Sequence, residues 1–366
     1  MTTTPAPLVL MTAGGTGGHV YPALAVASEL QARGLRVEWV GTTRGLEHRV
    51  VPAAGITLHC LPVRGVRGKS IWDKVLGLWF LALASVQAMC LLYRLAPACV
   101  VGMGGYVAGP AGVAAWMLRK PLLIHEQNAI AGTTNRLLAP LAARVVAAFP
   151  GAFTDKIRHI VLGNPVRRAL IEAAAARHYD YAGQRPLRLL VLGGSLGAQP
   201  INQVVPDTLR ALRDTGSQLD VWHQTGDAHV AAVTTSYGDL LETGARVVPF
   251  IEDMAAAYGW ADLVLCRAGA LTVSELAIMG CPSILVPLPH AIDDHQSANA
   301  RFLSDSGAAV LLRQSDMSVA ALVASLQGYL AHPGMLQKMS AAASAVATPD
   351  AAERVSDCCE ELIHAQ

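Results

Sequence analysis

Charge is scarce in this 366-residue chain: 15% of its residues are Asp, Glu, Lys or Arg, and 28 Lys+Arg against 27 Asp+Glu leave a formal charge of +1. A general nucleic-acid binder needs a cationic surplus to neutralise phosphates, so nucleic acid is not expected as a partner. Disorder is excluded from the opposite side, because 52% of the residues are hydrophobic. No Lys or Arg precedes the first apolar run, 8–11, and glycines follow it closely, so a secretory signal is not expected and the protein is expected in the cytosol. The seven cysteines (Cys60, Cys90, Cys99, Cys266, Cys281, Cys358 and Cys359) are odd in number and contain no C-x-x-C pair. Neither a disulfide framework nor a zinc site is indicated, and the cysteines are expected to be buried thiols of a reducing compartment. What the chain has instead is apolarity: a mean hydropathy of +0.38, which raises the question of a membrane.

At roughly 150 residues per domain, the length suggests two domains. The run 8–11 (LVLM) is broken by glycines at 14, 15, 17 and 18, after which Leu24, Val26, Ala27 and Leu30 are spaced as the core face of a helix over 22–33. Strand, glycine loop and helix thus follow one another. Further strands are predicted at 36–41, 98–101, 122–125 and 144–148, alternating with helices as in a parallel α/β sheet. After 163–167 the character shifts to a helix-like stretch and then to a polar segment at 183–186, where the domains are taken to join. A second strand, glycine loop and helix begins at 187. Gly14 and Gly193 open equivalent loops 179 positions apart, and Gly104 and Gly269 mark a second pair 165 apart. The fold class is therefore α/β, two Rossmann-like domains with parallel sheets facing a cleft. The domains are bounded at 1–166 and 167–346, with a closing helix in 347–366 that carries Val355, Cys359 and Leu362 on one face.

A glycine loop between strand and helix lets backbone N–H groups approach an anion, and the helix N-terminus adds about half a positive charge. The first loop matches the start of a dinucleotide fingerprint at Gly15 and Gly17, but position 20 is Val, so one loop alone is equally well a structural turn. Two such loops in matching halves suit an enzyme that holds a nucleotide-diphosphate donor in one domain and an acceptor in the other. The run 65–70 (GVRGKS) ends like a phosphate-binding P-loop, but Val63 stands where the first glycine belongs, which argues against an ATPase. His19 directly follows the first loop and is either a helix cap or a general base suited to taking a hydroxyl proton near neutral pH. Glu275 lies about two helical turns beyond Arg267 and is either a solvated helix acid or a carboxylate for ribose hydroxyls. No D-x-D occurs in the chain, so a diphosphate would be neutralised by backbone dipoles and a base such as Arg167.

Seven runs then point to one family: 14–19 (GGTGGH), 104–106 (GGY), 125–128 (HEQN), 163–167 (GNPVR), 193–195 (GGS), 267–275 (RAGALTVSE) and 294–296 (DHQ). Spanning both halves in order, they resemble the MurG family of bacterial transferases, which move N-acetylglucosamine from UDP onto undecaprenyl-pyrophosphoryl-MurNAc-pentapeptide (lipid I). The resemblance implies the GT-B architecture, inverting transfer to the acceptor C4 hydroxyl, and no essential metal or other cofactor. It implies that Ser195 and Arg167 contact the diphosphate or sugar, Ile251 the uracil, and Ala270, Leu271, Thr272, Val273, Ser274 and Glu275 the diphosphate and ribose. Asn128 and Gln296 would read the sugar hydroxyls, and Thr16, Gly17 and Gly18 would close on the donor from the other domain. His19 is the first candidate base, with Glu126 and Tyr106 nearby in motif. The implied partners are UDP-GlcNAc, lipid I, an anionic membrane surface and other cell-wall synthesis proteins, at the cytoplasmic face of the inner membrane. Leu196 departs from the family, whose members often carry Gln there. Other functions that such loops allow are a different UDP-sugar transferase, an epimerase, or a non-catalytic nucleotide-sugar sensor.

The stretch 71–93 is the most apolar, without a charge from 75 to 93; it holds Trp72, Trp79, Phe80 and Tyr93, and Arg64, Arg67, Lys69 and Lys74 lie in or before it. Its length overlaps that of a spanning helix. A span would break the strand alternation, which leaves a crossover helix buried on the sheet or one whose outer edge rests in lipid headgroups. The implied lipid acceptor favours the last, with Lys69, Trp72, Lys74, Trp79 and Phe80 as the membrane residues.

Overall fold

The computed structural model describes residues 6–63, 71–194, 196–289 and 294–366, with the backbone alone over 71–79 and at 81. The chain divides into two units, one of Met1–Arg167 with Pro349–Gln366 and the other of Arg168–Thr348. In the first, β1 (Leu8–Thr12), β2 (Arg36–Gly41), β3 (Thr57–Cys60), β4 (Cys99–Gly102), β5 (Leu122–Glu126), β6 (Arg144–Ala147) and β7 (Ile160–Val161) form one parallel sheet in the order β3-β2-β1-β4-β5-β6-β7. Strands such as LVLMT are apolar without alternation and buried along their whole length, as a sheet covered on both faces requires. The strand order reverses between β1 and β4, where Thr12 is paired with Gly102. Loops leaving these two strands therefore emerge side by side, at the place where doubly wound sheets bind ligands.

The first helix, Gly17–Ala32, begins earlier than the sequence pattern predicts. Thr16 is extended and its carbonyl accepts the N–H groups of His19 and Val20, so the glycine loop itself supplies the first turn. Pro22 lies inside the helix, where its missing N–H forfeits only the bond to the Gly18 carbonyl. The helix Ile71–Leu95 crosses from β3 to β4, with Ala88, Leu91 and Leu92 packed in a core with Leu10, Val40 and Val100. Among the described residues no helix is long and apolar enough to cross a membrane. The expectation that all the cysteines are buried fails at Cys60 and Cys90, which are exposed; the other five are buried, and all seven are free thiols. Cys60 ends the short edge strand β3, and Cys90 lies on the outer side of the crossover helix.

In the second unit β8 (Leu187–Leu192), β9 (Leu219–Gln224), β10 (Ala245–Val248), β11 (Leu263–Cys266), β12 (Ser283–Leu285) and β13 (Ala309–Leu311) form a parallel sheet in the order β10-β9-β8-β11-β12-β13. Its order reverses between β8 and β11, so the same argument applies to the loops after those strands. The polar segment near 183–186 lies inside this unit. Arg185 there donates to Asp180 and to the buried Asp262, which also accepts the Arg188 N–H at 2.9 Å, so the segment anchors the start of β8 instead of acting as a linker.

The last helix, Ala351–His364, packs in the first unit, where Val355, Cys358 and Cys359 share a core with Val26, Ala27 and Leu30. Arg33, just past the first helix, clasps it by donating to Asp357 (2.6 Å), Glu360 (2.8 Å) and the Glu353 carbonyl (3.2 Å) while holding Glu29 (2.8 Å). These groups are partly exposed, so each pair contributes under about 1 kcal/mol. Arg33→Met is expected to destabilise the first unit by about 1–2 kcal/mol through loss of the network, with faster proteolytic release of the C-terminal helix. Unaltered proteolysis would show that the apolar face holds the helix unaided.

Candidate active site

The first glycine loop meets the loop after β4 backbone against backbone. Gly105 has a φ of +82°, and a Cβ on it would strike the Gly14 carbonyl oxygen. Only glycine satisfies both conditions. Its neighbour Gly104 leaves room for the His19 imidazole: a Cβ there would lie 2.7 Å from His19 Cδ2, 3.0 Å from Nε2 and 3.6 Å from Gln127 Oε1. Three motifs remote in sequence thus converge on the half-buried His19 ring, in the first turn of its helix, with Thr16 Oγ1 3.4 Å from Nδ1. Tyr106 follows, more than half exposed.

The loop after β5 is held from beneath. Glu126 is buried, and its carboxylate accepts the Asn128 N–H (2.9 Å) and Nδ2 (3.2 Å) on one oxygen and the Gly132 N–H (3.0 Å) and Asn135 Nδ2 (2.9 Å) on the other. With its lone pairs engaged inside the chain, this geometry suits a brace for Asn128 better than a base. His125 is fully buried, bonded to the Gly163 carbonyl through Nε2 (2.9 Å) and to Gln127 Nε2 through Nδ1 (3.1 Å). Burial pushes its imidazole down to about 4, so it is neutral and donates from Nε2 to Gly163. Asn164 Nδ2 donates to the Gln127 carbonyl, which ties the 163–167 run to the same loop. Arg167, at the end of that run, lies over the Tyr21 ring of the first helix, 5.4 Å from its centroid.

In the second unit the loop after β8 crosses the one after β9 as closely. Gly197 has a φ of +79°, and a Cβ on it would strike the Thr225 carbonyl oxygen. The Gly194 carbonyl accepts Gln224 Nε2 at 2.8 Å. Behind this crossing His223 is buried between Tyr237 Oη (2.8 Å) and Asn202 Oδ1 (3.1 Å), neutral because burial pushes it down to about 3.

After β11 the helix Ala270–Ile278 starts at Gly269 with no side-chain cap and no acidic residue in its first turn. The first helix of the other unit is likewise uncapped, whereas Met254–Trp260 is capped by Asp253 and Val319–Ala331 by Ser318. Several other helices also lack a side-chain cap, so what sets these two apart is their start at the switch points, where the positive end of the helix dipole suits an anion. Glu275 is buried and accepts the Tyr258 hydroxyl at 3.1 Å; it is not a solvated helix acid. Desolvation, with Glu275 adding to it, drives the Tyr258 hydroxyl far above its usual range, so it stays a donor. Gln296 Oε1 accepts the Leu288 N–H at 2.9 Å, Asn299 holds the Ala268 carbonyl at 3.2 Å, and Arg267 donates to Val286, Pro287 and Gln314.

Two domain models of glycosyltransferase family 28 match this chain, the N-terminal one over residues 9–147 and the C-terminal one over 188–355. The chain belongs to glycosyltransferase family 28. It is 49% identical over 356 residues to the UDP-N-acetylglucosamine–N-acetylmuramyl-(pentapeptide) pyrophosphoryl-undecaprenol N-acetylglucosamine transferase of Pseudomonas syringae pv. syringae, covering 97% of this chain and 99% of that protein. To the protein of the same name from Azotobacter vinelandii it is 51% identical over 354 residues, 97% of this chain and 98% of that one. The crystal structure of Acinetobacter baumannii MurG matches with a TM-score of 0.82 and 40% identity, over 97% of this chain and 99% of that chain. The fold of this family 28 protein is GT-B.

Within this family 28 chain, Thr16, Gly17, Gly18, His19, Tyr106, Glu126, Asn128 and Arg167 all fall in the first unit. Ile251 and Ala270 to Glu275 fall in the second, with Ile251 and Val273 buried and Leu271 and Thr272 half-buried; Ser274 Oγ donates to the Ala270 carbonyl at 3.1 Å. Ser195 and Lys69 lie outside the described residues, as do the side chains of Trp72, Lys74 and Trp79. Among the described residues no cluster of three or more His, Cys, Asp or Glu could hold a metal ion. Glu47 escaped sequence reasoning altogether: it is fully buried against the first glycine loop, though it opens a short, mostly exposed helix, Glu47–Ala53, beside His48 and Arg49.

The two buried imidazoles have a stability consequence. The folded chain takes up their protons less readily than the unfolded chain, whose histidines titrate near 6.5, so proton uptake below that pH favours unfolding. The melting temperature is expected to fall as pH drops from about 6.5 towards 4, at up to about 1.4 kcal/mol per pH unit for each histidine. A melting temperature that stays flat across this window would contradict the buried neutral state.

Proposed function

We propose that this chain transfers N-acetylglucosamine from UDP-GlcNAc to the C4 hydroxyl of the MurNAc of lipid I, giving lipid II, with inversion at the sugar C1. The observation that carries this reading is the uncapped N-terminus of Ala270–Ile278 with the buried Glu275 in the same helix. The helix end suits a diphosphate, and a carboxylate rigidly held by Tyr258 suits a pair of ribose hydroxyls. The second unit is accordingly the donor side, with Ile251 against the uracil and Gln296 shaping the strand-end loop that faces the sugar. Asn128, pinned by Glu126, reads sugar hydroxyls, and Arg167 adds a cation for the diphosphate.

The first unit supplies the acceptor side. His19 takes the proton from the C4 hydroxyl as its oxygen attacks C1 from the face opposite UDP. The C1–O bond breaks, its electron pair stays on the departing diphosphate, and the bond to the acceptor oxygen forms with inversion. His19 suits the task because its ring sits in the space left by the missing side chain of Gly104 and is only half buried. Glu126 positions the neighbouring loop, and the exposed Tyr106 stands where an incoming sugar passes.

Attachment to the cytoplasmic face of the inner membrane is part of this reading, and the outer edge of the first unit supports a membrane-facing surface. Val86 is 60% and Tyr93 79% exposed on the crossover helix, beside Leu83, and Trp116 and Met117 are over half exposed on the helix Ala108–Met117, which packs against it. Phe80 is half-buried there. Arg94 lies on the crossover helix, Arg119 just after Ala108–Met117, and Arg136 on the helix Thr133–Leu138, which packs against Ala108–Met117. Exposed apolar side chains among cations suit a headgroup layer of anionic lipid.

Turnover of UDP-GlcNAc should require lipid I and persist in EDTA; consumption without lipid I would favour an epimerase or a soluble acceptor. His19→Ala is expected to lower kcat at least ~10-fold with little change in UDP affinity, and Glu275→Ala to weaken UDP binding by about tenfold, as loss of a charge-assisted hydrogen bond would. Full activity in both variants would sink these assignments. Replacing Val86, Tyr93 and Trp116 together by Ser should reduce cosedimentation with anionic vesicles while UDP affinity is retained; unchanged cosedimentation would remove this face from membrane binding.

A further inference from the structure

Glu47 is fully buried, yet no role in binding or transfer has been given to it. Its Oε2 accepts the N–H of Gly15 in the first glycine loop at 3.0 Å, and its Oε1 accepts the Thr42 N–H at 3.0 Å and the Thr42 hydroxyl at 2.7 Å. The adjoining Leu46 N–H reaches the Gly15 carbonyl at 3.5 Å, so both polar groups of Gly15 are directed to the same short segment. Three glycines make the space: a Cβ on Gly14 would lie 2.8 Å from the carboxylate, one on Gly41 2.7 Å from its Cγ, and one on Gly45 would overlap the carboxylate outright. Two of these glycines flank the strand end and turn that present Glu47, and the third belongs to the loop it holds.

A carboxylate removed from water is costly unless its lone pairs are met, and an apolar side chain would fill such a space at lower cost. This one is met by N–H and O–H donors from two loops instead of by a cation, which makes it a directional link rather than a charge pair. The link acts on the peptide four residues before His19, in the loop that forms the first turn of its helix. We propose that Glu47 is a positioning residue for the transfer reaction: it fixes the first glycine loop, and through it the place of His19 against Gly104. The inference rests on the assignment of His19 as base.

The test uses the full-length protein. Glu47→Gln keeps the size of the side chain but puts a donor NH2 where one set of N–H and O–H groups needs an acceptor; Thr42→Val removes the hydroxyl's hydrogen bond to Glu47 at the other end of the link, together with the one it accepts from the Gly45 N–H. Amide exchange of peptides covering 13–20 needs no substrate and reports the loop directly. In Glu47→Gln exchange there should rise at least tenfold and kcat should fall at least tenfold, with the Kd for UDP within twofold of wild type. Thr42→Val should move both readouts in the same direction by about two- to fivefold. Wild-type exchange in the loop, or a kcat within twofold, would overturn the proposal. So would a general rise in exchange across both units with parallel loss of UDP binding, since that is unfolding only. If Glu47→Gln does not fold, Thr42→Val decides: wild-type behaviour in both readouts overturns the link. Absence of transfer in the wild-type protein would instead overturn the functional assignment, while the exchange data still decide whether Glu47 holds the loop.

Discussion

Backbone packed on backbone at the strand ends is the constraint on which the rest of the structure depends. In the first unit the reversal of strand order between β1 and β4 brings two loops out of adjacent strands, and they abut at Gly105 and Gly14. In the second, the loop after β8 is pressed on Thr225 at Gly197. No side chain fits at either contact, so the loops present N–H groups and helix ends rather than side chains to whatever binds. A diphosphate is a ligand of the right kind for such a surface, since its charge can be met by fixed dipoles that need no reorganisation.

The polar side chains around these loops divide by direction. Glu126, Gln127, Asn135, Asn299 and Arg267 face inward and spend their hydrogen bonds on carbonyls, amides and one another. Glu47 does the same beneath the first loop. Residues of catalytic type are therefore used here largely to hold backbone, while Tyr106 is more than half exposed and His19 half buried beside the first glycine loop. The buried histidines fit this division, since desolvation keeps both neutral and each can donate from one nitrogen while accepting at the other.

The low charge and high apolar content are mostly accounted for by two sheets whose central strands are buried nearly end to end, while the outer strands β3, β7 and β10 are not. The crossover helix Ile71–Leu95 has its own division: Ala88, Leu91 and Leu92 belong to a core, while Val86 and Tyr93 do not. A helix apolar on all sides is stable on a sheet only if its outer side also finds an apolar neighbour, and a lipid surface is the neighbour proposed for it.

The amino-acid sequence by itself determined the alternation of strand and helix, the repetition of that alternation in two halves, and the positions of the glycine loops. Each is a local pattern: buried parallel strands are short apolar runs, and a tight turn into a helix demands glycine within a few residues. The seven motif runs were legible through their resemblance to a known family. Only the tertiary structure decided which way the polar residues of those runs point. Glu126 reads in sequence as a possible base and in three dimensions as a brace, and Glu275, open in sequence between a solvated acid and a carboxylate for ribose hydroxyls, is buried on Tyr258. Glu47 belongs to no motif, because its link to Gly15 joins residues 32 positions apart. Hydrogen bonds of that span are set by how the loops pack at the strand ends, and no spacing within either segment encodes them.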